Sequence, residues 1–107
     1  MLEPLKAPVV FDGIETTDVA SPATLIWNGT GVASIFVQSW YGGSLMGVVF
    51  GPSASMPLAS SANVFPVPFE GIVWKIGPST RYISVFPLAG GYGAVGYYFE
   101  GQTDVTT

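Results

Sequence analysis

The stretch Tyr82–Glu100 has the sequence YISVFPLAGGYGAVGYYFE and decides the fold class. It begins with alternating β-branched and aromatic residues, is interrupted by a pair of glycines, and continues into an aromatic run. Short runs of strand formers separated by glycine turns are typical of antiparallel β-structure. The stretch therefore predicts a strand at Tyr82–Phe86, a glycine turn at Gly90–Gly93 and a final strand at Ala94–Glu100.

The same pattern extends over the rest of the chain. The 107 residues include 14 glycines and 9 prolines spread along the sequence, and no window has the apolar spacing of an amphipathic helix free of Gly, Pro and β-branched residues. We predict an all-β protein, a single small β-sandwich or jelly-roll-like domain of about seven or eight short antiparallel strands. The predicted boundaries are an extended N-terminal arm at 1–8, the sandwich at 9–101 and a polar tail at 102–107.

Two local patterns predict how the strands are joined and where the sheet ends. Asn28-Gly29 favours a type I′ hairpin turn between strands at Ala23–Trp27 and Val32–Trp40, because both central positions of that turn need positive φ. Phe65–Phe69 has the sequence FPVPF, and its two prolines donate no hydrogen bond to a ladder. It is therefore predicted to be an edge segment with its three apolar side chains along one side.

Charged residues are unusually scarce. They make up 9% of the chain, compared with about 25% in an ordinary soluble domain, while 49% of the residues are hydrophobic. No charged residue occurs between Asp18 and Glu70. We therefore expect the neutral surface to be covered by copies of the chain or by another protein.

Composition also disfavours several classes of function. The chain has no cysteine and no histidine, which removes thiolate chemistry, disulfides and the commonest acid–base group and metal ligand. A net charge of −4 with three basic residues argues against nucleic acid as a partner. No apolar run is long enough to span a membrane, and the absence of a basic leader and apolar signal region predicts a protein made in the cytoplasm and not secreted.

Three patterns suggest chemistry but are better explained structurally. Gly91–Gly96 matches G-x-G-x-x-G, yet the aromatic residues after it predict a strand where a dinucleotide site needs a helix. Glu70 and Glu100 are the only carboxylates in the strand-rich body and have no feature of a hydrolase pair. An acidic loop could bind Ca²⁺ but has no EF-hand spacing; its residues are Asp12, Glu15 and Asp18. We predict no catalytic residue, no cofactor and no metal site, and hence no enzyme.

The segment Ser79–Phe99 resembles the closing hairpin of small β-sandwich virion proteins of tailed bacteriophages. Those proteins often have a Tyr-Ile-x-Val-x-Pro strand, here Tyr82–Pro87, followed by a glycine turn and a final aromatic strand. The hairpin predicted at Trp27–Thr30, with the sequence WNGT, also resembles the hairpins of those proteins. The resemblance implies a capsid decoration (cement) protein on the capsid exterior. It would be a homo-oligomer, with a trimer favoured by analogy, seated on the major capsid protein or another virion protein.

The predicted function is a non-enzymatic structural one, in which subunit–subunit and subunit–capsid contacts stabilise the shell. A head–tail connector, tail or fibre module of the same virion remains an alternative. So does a small carbohydrate-binding module that uses Trp40, Tyr41 or Tyr92, because exposed aromatic rings also stack on sugars. Trp74 is predicted to lie in the core. The predicted interface residues are Leu2, Leu5, Trp40, Tyr41, Phe65, Phe69 and Tyr92.

Overall fold

The computed structural model describes residues 12–42 and 45–103, with the backbone alone at 12, 40–42 and 100–103. Eight strands cover most of this region. They are β1 (Asp12–Thr17), β2 (Thr24–Leu25), β3 (Val32–Gly42), β4 (Met46–Gly51), β5 (Phe65–Val67), β6 (Ile72–Ile76), β7 (Tyr82–Pro87) and β8 (Tyr92–Thr103). The helical structure described is a single 3-10 turn at Pro78–Thr80, and within this part of the chain no helix is long and apolar enough to cross a membrane.

The strands form two four-stranded antiparallel sheets. The first sheet has the order β1-β8-β3-β6 and the second has the order β2-β7-β4-β5. Strands therefore pair first with eighth, second with seventh, third with sixth and fourth with fifth. This is the arrangement of one long antiparallel ribbon wound into two stacked sheets, the jelly roll. The predicted all-β sandwich is confirmed.

The core lies between the two sheets and follows the two-residue period of the strands. On β3, Ile35 and Val37 are fully buried, whereas Phe36 between them is only partly buried and contacts Tyr98 on the outer face. Opposite them the second sheet contributes its own apolar layer. The fully buried apolar residues at the centre are Ile35, Val37, Met46, Val67, Ile83, Val85 and Val95.

A buried serine joins the two sheets by hydrogen bonds. The Ser39 hydroxyl on β3 donates to the carbonyl oxygen of Val67 on β5 at 2.7 Å and accepts from the backbone N–H of Met46 at 2.9 Å. Among the described residues, every buried side-chain polar atom has a partner. The described interior is therefore free of unpaired buried side-chain polar groups, which would lower the stability of the fold.

The loop 52–64 covers the outer face of the second sheet. Met56 is buried and packs on Gly51, and the backbone N–H of Ala59 donates to the Ser84 hydroxyl at 3.0 Å. That hydroxyl in turn donates to the carbonyl oxygen of Ser21 at 2.7 Å. The loop is thus a packed layer on that sheet.

The Asn28-Gly29 hairpin prediction is wrong. β2 belongs to the second sheet and β3 to the first, so the segment between them crosses from one sheet to the other. Neither Asn28 nor Gly29 has the positive φ that a type I′ turn requires. The Trp27 indole packs on Gly29 and donates from Nε1 to the carbonyl oxygen of Gly31 at 3.0 Å, and this local packing stabilises the crossing.

The glycine turn before β8 makes a second crossing. Gly90 and Gly91 have φ of 75° and 76°, as a tight turn requires, but β7 and β8 lie in different sheets. The predicted closing hairpin is therefore not a paired hairpin. Asp18 fixes the turn, because its Oδ1 accepts the Gly91 N–H at 2.6 Å. β8 begins at Tyr92 and runs to Thr103, two residues into the segment predicted as a tail.

Candidate interaction surface

One lateral side of the sandwich is formed by β5 and β6, the last strands of the second and first sheets. We call it the β5–β6 edge, comprising residues 65–76. β5 is short because prolines that cannot donate to a ladder limit its pairing, and within the described part of the chain it pairs only with Met46–Val48 of β4. The rest of β4 pairs only with β7. The short β5 therefore leaves an open groove between the two sheets at this side.

Aromatic rings line this opening. The Trp74 indole lies between Phe50, at a centroid distance of 5.5 Å, and Phe65, at 5.4 Å, both in edge-to-face geometry. Trp74 packs against the core but remains half-buried, so its predicted core position is only partly right. Val67, predicted to lie along one side of the segment with Phe65 and Phe69, is fully buried, because β5 turns that side chain into the sandwich.

Phe65 separates two apolar grooves at the edge. The first has a volume of ≈ 350 Å³ and lies between Phe50, Trp74 and Lys75. The second has a volume of ≈ 580 Å³ and is bounded by Pro68, Phe69 and Ile72, among others. Three large apolar side chains are about half exposed here: Phe65 at 53%, Phe69 at 52% and Val73 at 52%.

The turn between β5 and β6 is held against β3. The backbone N–H of Ser39 donates to the carbonyl oxygen of Pro68 at 3.3 Å, and Gln38 Nε2 donates to the carbonyl oxygen of Phe69 at 3.3 Å. Gly71 has a φ of 92° and lies directly against the Phe36 ring. These contacts fix Phe69 in its exposed position and place two exposed charges along the edge, Glu70 before β6 and Lys75 within it.

The opposite lateral side has a different chemistry. It is formed by β1 and β2, and we call it the β1–β2 edge. Its exposed apolar residues are Val19 at 62% and Leu25 at 44%. Tyr92, 37% exposed, lies beside β1 and donates from its hydroxyl to Glu15 Oε2 at 2.8 Å. Among the described residues, acidic groups and isolated apolar side chains define this edge.

The structure brings together only some of the predicted interface residues. Phe65 and Phe69 border the same groove, whereas Tyr92 lies on the opposite lateral side. Leu2 and Leu5 lie outside the described residues, and Trp40 and Tyr41 lie on β3 where the backbone alone is described.

Sequence analysis missed Val73. The signal was available in the alternation of Ile72–Ile76, where an outward apolar residue falls on a strand that follows a proline-rich edge segment. Exposure of such a residue follows only if the strand is itself an edge, and strand order is not visible in the sequence.

Comparisons with protein-family models, with curated protein sequences and with solved structures find no match to this chain. Within residues 12–42 and 45–103 no three acidic side chains are gathered where they could hold a metal ion. What the β5–β6 edge offers is apolar area, aromatic rings and open strand edges, which are the features of a surface that binds another protein.

Proposed function

We propose that the chain is a non-enzymatic structural protein of a virus particle, most simply a capsid decoration protein that stabilises the shell. The observation that carries the proposal is the β5–β6 edge. There, Phe65, Phe69 and Val73 are each about half exposed beside two apolar grooves. Burying such a surface against another protein releases water from apolar area, which is favourable.

The composition of this surface supports a protein partner. Protein interfaces are enriched in aromatic residues and poor in charge at their centre, and the β5–β6 edge has both properties. The edge strands also present backbone N–H and C=O groups that another chain can pair with. A decoration protein acts by many such contacts repeated over a shell, so each needs only moderate affinity.

The fold supports the viral role by analogy. Jelly rolls build viral capsid and lectin domains, among others, and a fold alone does not fix function. The resemblance of Ser79–Phe99 to phage virion proteins points to the first of these classes. Copy number separates decoration of the shell from a connector, tail or fibre role, because only a shell protein is present in numbers that match the capsid lattice.

The proposal is tested on particles purified from cells with the gene intact or deleted. Quantitative mass spectrometry is expected to find the chain in the particles at a copy number matching the lattice. Particles without it are expected to release their nucleic acid at a lower temperature. Absence of the chain from purified particles, or a copy number of only a few, would overturn the decoration role.

A pair of variants tests the surface itself. Phe69→Ser removes an exposed ring of the β5–β6 edge and is expected to reduce incorporation of the chain into particles. Leu58→Ser is the matched control, because Leu58 is 47% exposed but lies on the loop over the second sheet. Equal incorporation of both variants at wild-type levels would show that the β5–β6 edge is not the contact.

A further inference from the structure

We propose that the β5–β6 edge binds the same edge of a second copy of this chain. In this dimer, β6 pairs antiparallel with β6 of the other copy around a two-fold axis at Val73. The inference deepens the proposed function by naming another copy of the chain as the partner of this surface. It concerns the subunit contact alone and is tested in solution.

The first support is the open edge of β6. β6 pairs with Ala33–Val37 of β3 on one side, and in the described part of the chain no strand lies on its other side. Unpaired backbone groups along such an edge are a template for another strand. Pairing with the same strand of a second copy is isologous, the symmetry of most homodimers, and joins the two first sheets into one continuous sheet.

The second support is the order of charges along the edge. Glu70 and Lys75 are exposed at opposite ends of the stretch, with apolar residues between them. An antiparallel partner centred on Val73 places Lys75 opposite Gly71 of the second copy, next to its Glu70. Opposite charges therefore meet at both ends of the contact. A pairing centred on Lys75 would place two like charges directly opposite each other, which is unfavourable.

The third support is the apolar area available. An aromatic side chain offers about 150–250 Å², so the half-exposed Phe65 and Phe69 contribute on the order of 200 Å² per copy. A stable interface needs about 800 Å² on each partner. Val73, the walls of the two grooves and the edge of β6 itself add to this area.

A single introduced thiol tests the position of the axis. The chain has no cysteine, and Val73→Cys would place one thiol at the axis. Directly opposed residues of an antiparallel pair have Cβ atoms about 4.5–5.5 Å apart, which is near the range that a disulfide spans. Mild oxidation at low micromolar concentration is expected to give a covalent dimer. Val19→Cys, at a more exposed position on the β1–β2 edge, is expected to stay monomeric on a denaturing gel.

Charge exchange tests the direction of pairing. Lys75→Glu places two acidic groups together at each end of the dimer, and Glu70→Lys places two basic groups there. Each is expected to raise the dissociation constant at least about tenfold in light scattering across a dilution series. The double variant is expected to restore dimerisation, because the opposite charges meet again with their places exchanged.

Two controls change the net charge by the same amounts elsewhere. Arg81→Glu matches Lys75→Glu, and Glu15→Lys, on the opposite lateral side, matches Glu70→Lys. Both are expected to dimerise like the wild type. If the chain is a monomer at every concentration, the inference is overturned. Glu70 and Lys75 would then be charges that prevent the edge of β6 from pairing with another strand.

Other results would also overturn it. An oligomer larger than a dimer that Glu15→Lys disrupts would show head-to-tail contact between the two lateral edges. Efficient crosslinking of the Val19→Cys variant would show instead that the β1–β2 edges of two copies meet each other. The outcomes are separable from those of the proposed function, because a dimer absent from particles contradicts only the viral role, and a monomer incorporated into particles contradicts only this inference.

Discussion

A single buried hydroxyl can hold together backbone groups from distant parts of the chain. The Ser84 hydroxyl joins the backbone N–H of Ala59 to the carbonyl oxygen of Ser21. Ser84→Ala leaves both groups buried without that partner, so we expect the free energy of unfolding to fall by about 1–3 kcal/mol. Urea unfolding followed by tryptophan fluorescence measures the change.

An exposed serine in the same loop is the control for this prediction. Ser55 bonds only to Ser53 at the surface, so Ser55→Ala is expected to change the free energy of unfolding by less than about 0.5 kcal/mol. Equal stability of both variants would mean that water replaces the Ser84 hydroxyl.

Two glycines that both have positive φ differ in their surroundings. Gly71 has a φ of 92° and lies against the Phe36 ring, whereas Gly91 has a φ of 76° and nothing within 4 Å of an added Cβ. Gly91→Ala is expected to cost only backbone strain, about 1 kcal/mol. Gly71→Ala must also displace the ring and is expected to cost at least about 1 kcal/mol more. Thermal unfolding of the two variants side by side gives the difference.

The opposite ranking of these two variants would show that the Phe36 ring moves away freely. In that case the turn before β6 is not held by Phe36, and the fixed position of Phe69 rests on the hydrogen bonds from β3 alone.

Sequence analysis predicts the burial of single residues only where that burial depends on neighbours close in the chain. The inward Ile35 and Val37 and the outward Phe36 could be predicted, because alternation is local. The burial of Ser84 could not, since the groups that it bonds are 25 and 63 residues away. Nothing local distinguishes it from the exposed serines of the loop.

At the scale of elements, the sequence indicated the strands better than their partners. Runs of β-formers broken by glycine and proline placed most strands correctly, because strand formation depends on local composition. The Asn28-Gly29 and Gly90-Gly91 pairs predicted hairpins, yet both segments cross between sheets. Turn residues show where the chain changes direction, whereas the core decides which strand lies beside which.

The loop 52–64 is an element whose anchor can be tested. Met56 is 7% exposed and packs on Gly51, whereas Leu58 is 47% exposed. Met56→Ala is expected to weaken the loop's attachment and to speed amide exchange within residues 53–62 at least about tenfold, which corresponds to a loss of about 1.4 kcal/mol of local stability. Hydrogen exchange measured by mass spectrometry resolves this segment.

Leu58→Ala is the matched control for the loop, since it removes an exposed side chain of similar size. It is expected to leave exchange in the loop unchanged. Faster exchange over the whole protein in Met56→Ala, with no excess in the loop, would instead make Met56 part of the global core.

At the scale of the whole molecule, only part of the candidate surface could be predicted from the sequence. The prolines around Val67 showed that this segment lies at an edge, and so Phe65 and Phe69 could be predicted as exposed. That β6 forms the adjacent edge of the other sheet depends on the jelly-roll order. The same order places Tyr92 on the opposite side, so exposed aromatics that look equivalent in the sequence belong to different surfaces.

The proposed dimer makes the stability of the whole protein depend on its concentration. Association favours the folded state by mass action, so a hundredfold dilution removes about 1.4 kcal/mol per subunit of a dimer and lowers Tm on the order of 5 °C. Lys75→Glu weakens the contact without touching the core, so its Tm is expected to be lower and nearly independent of concentration. Scanning calorimetry of the wild type and of Lys75→Glu over this hundredfold range measures how the Tm of each depends on concentration. A wild-type Tm that does not move on dilution would mean that the β5–β6 edge contributes nothing to folding in solution, and that its apolar side chains are buried only on a different partner.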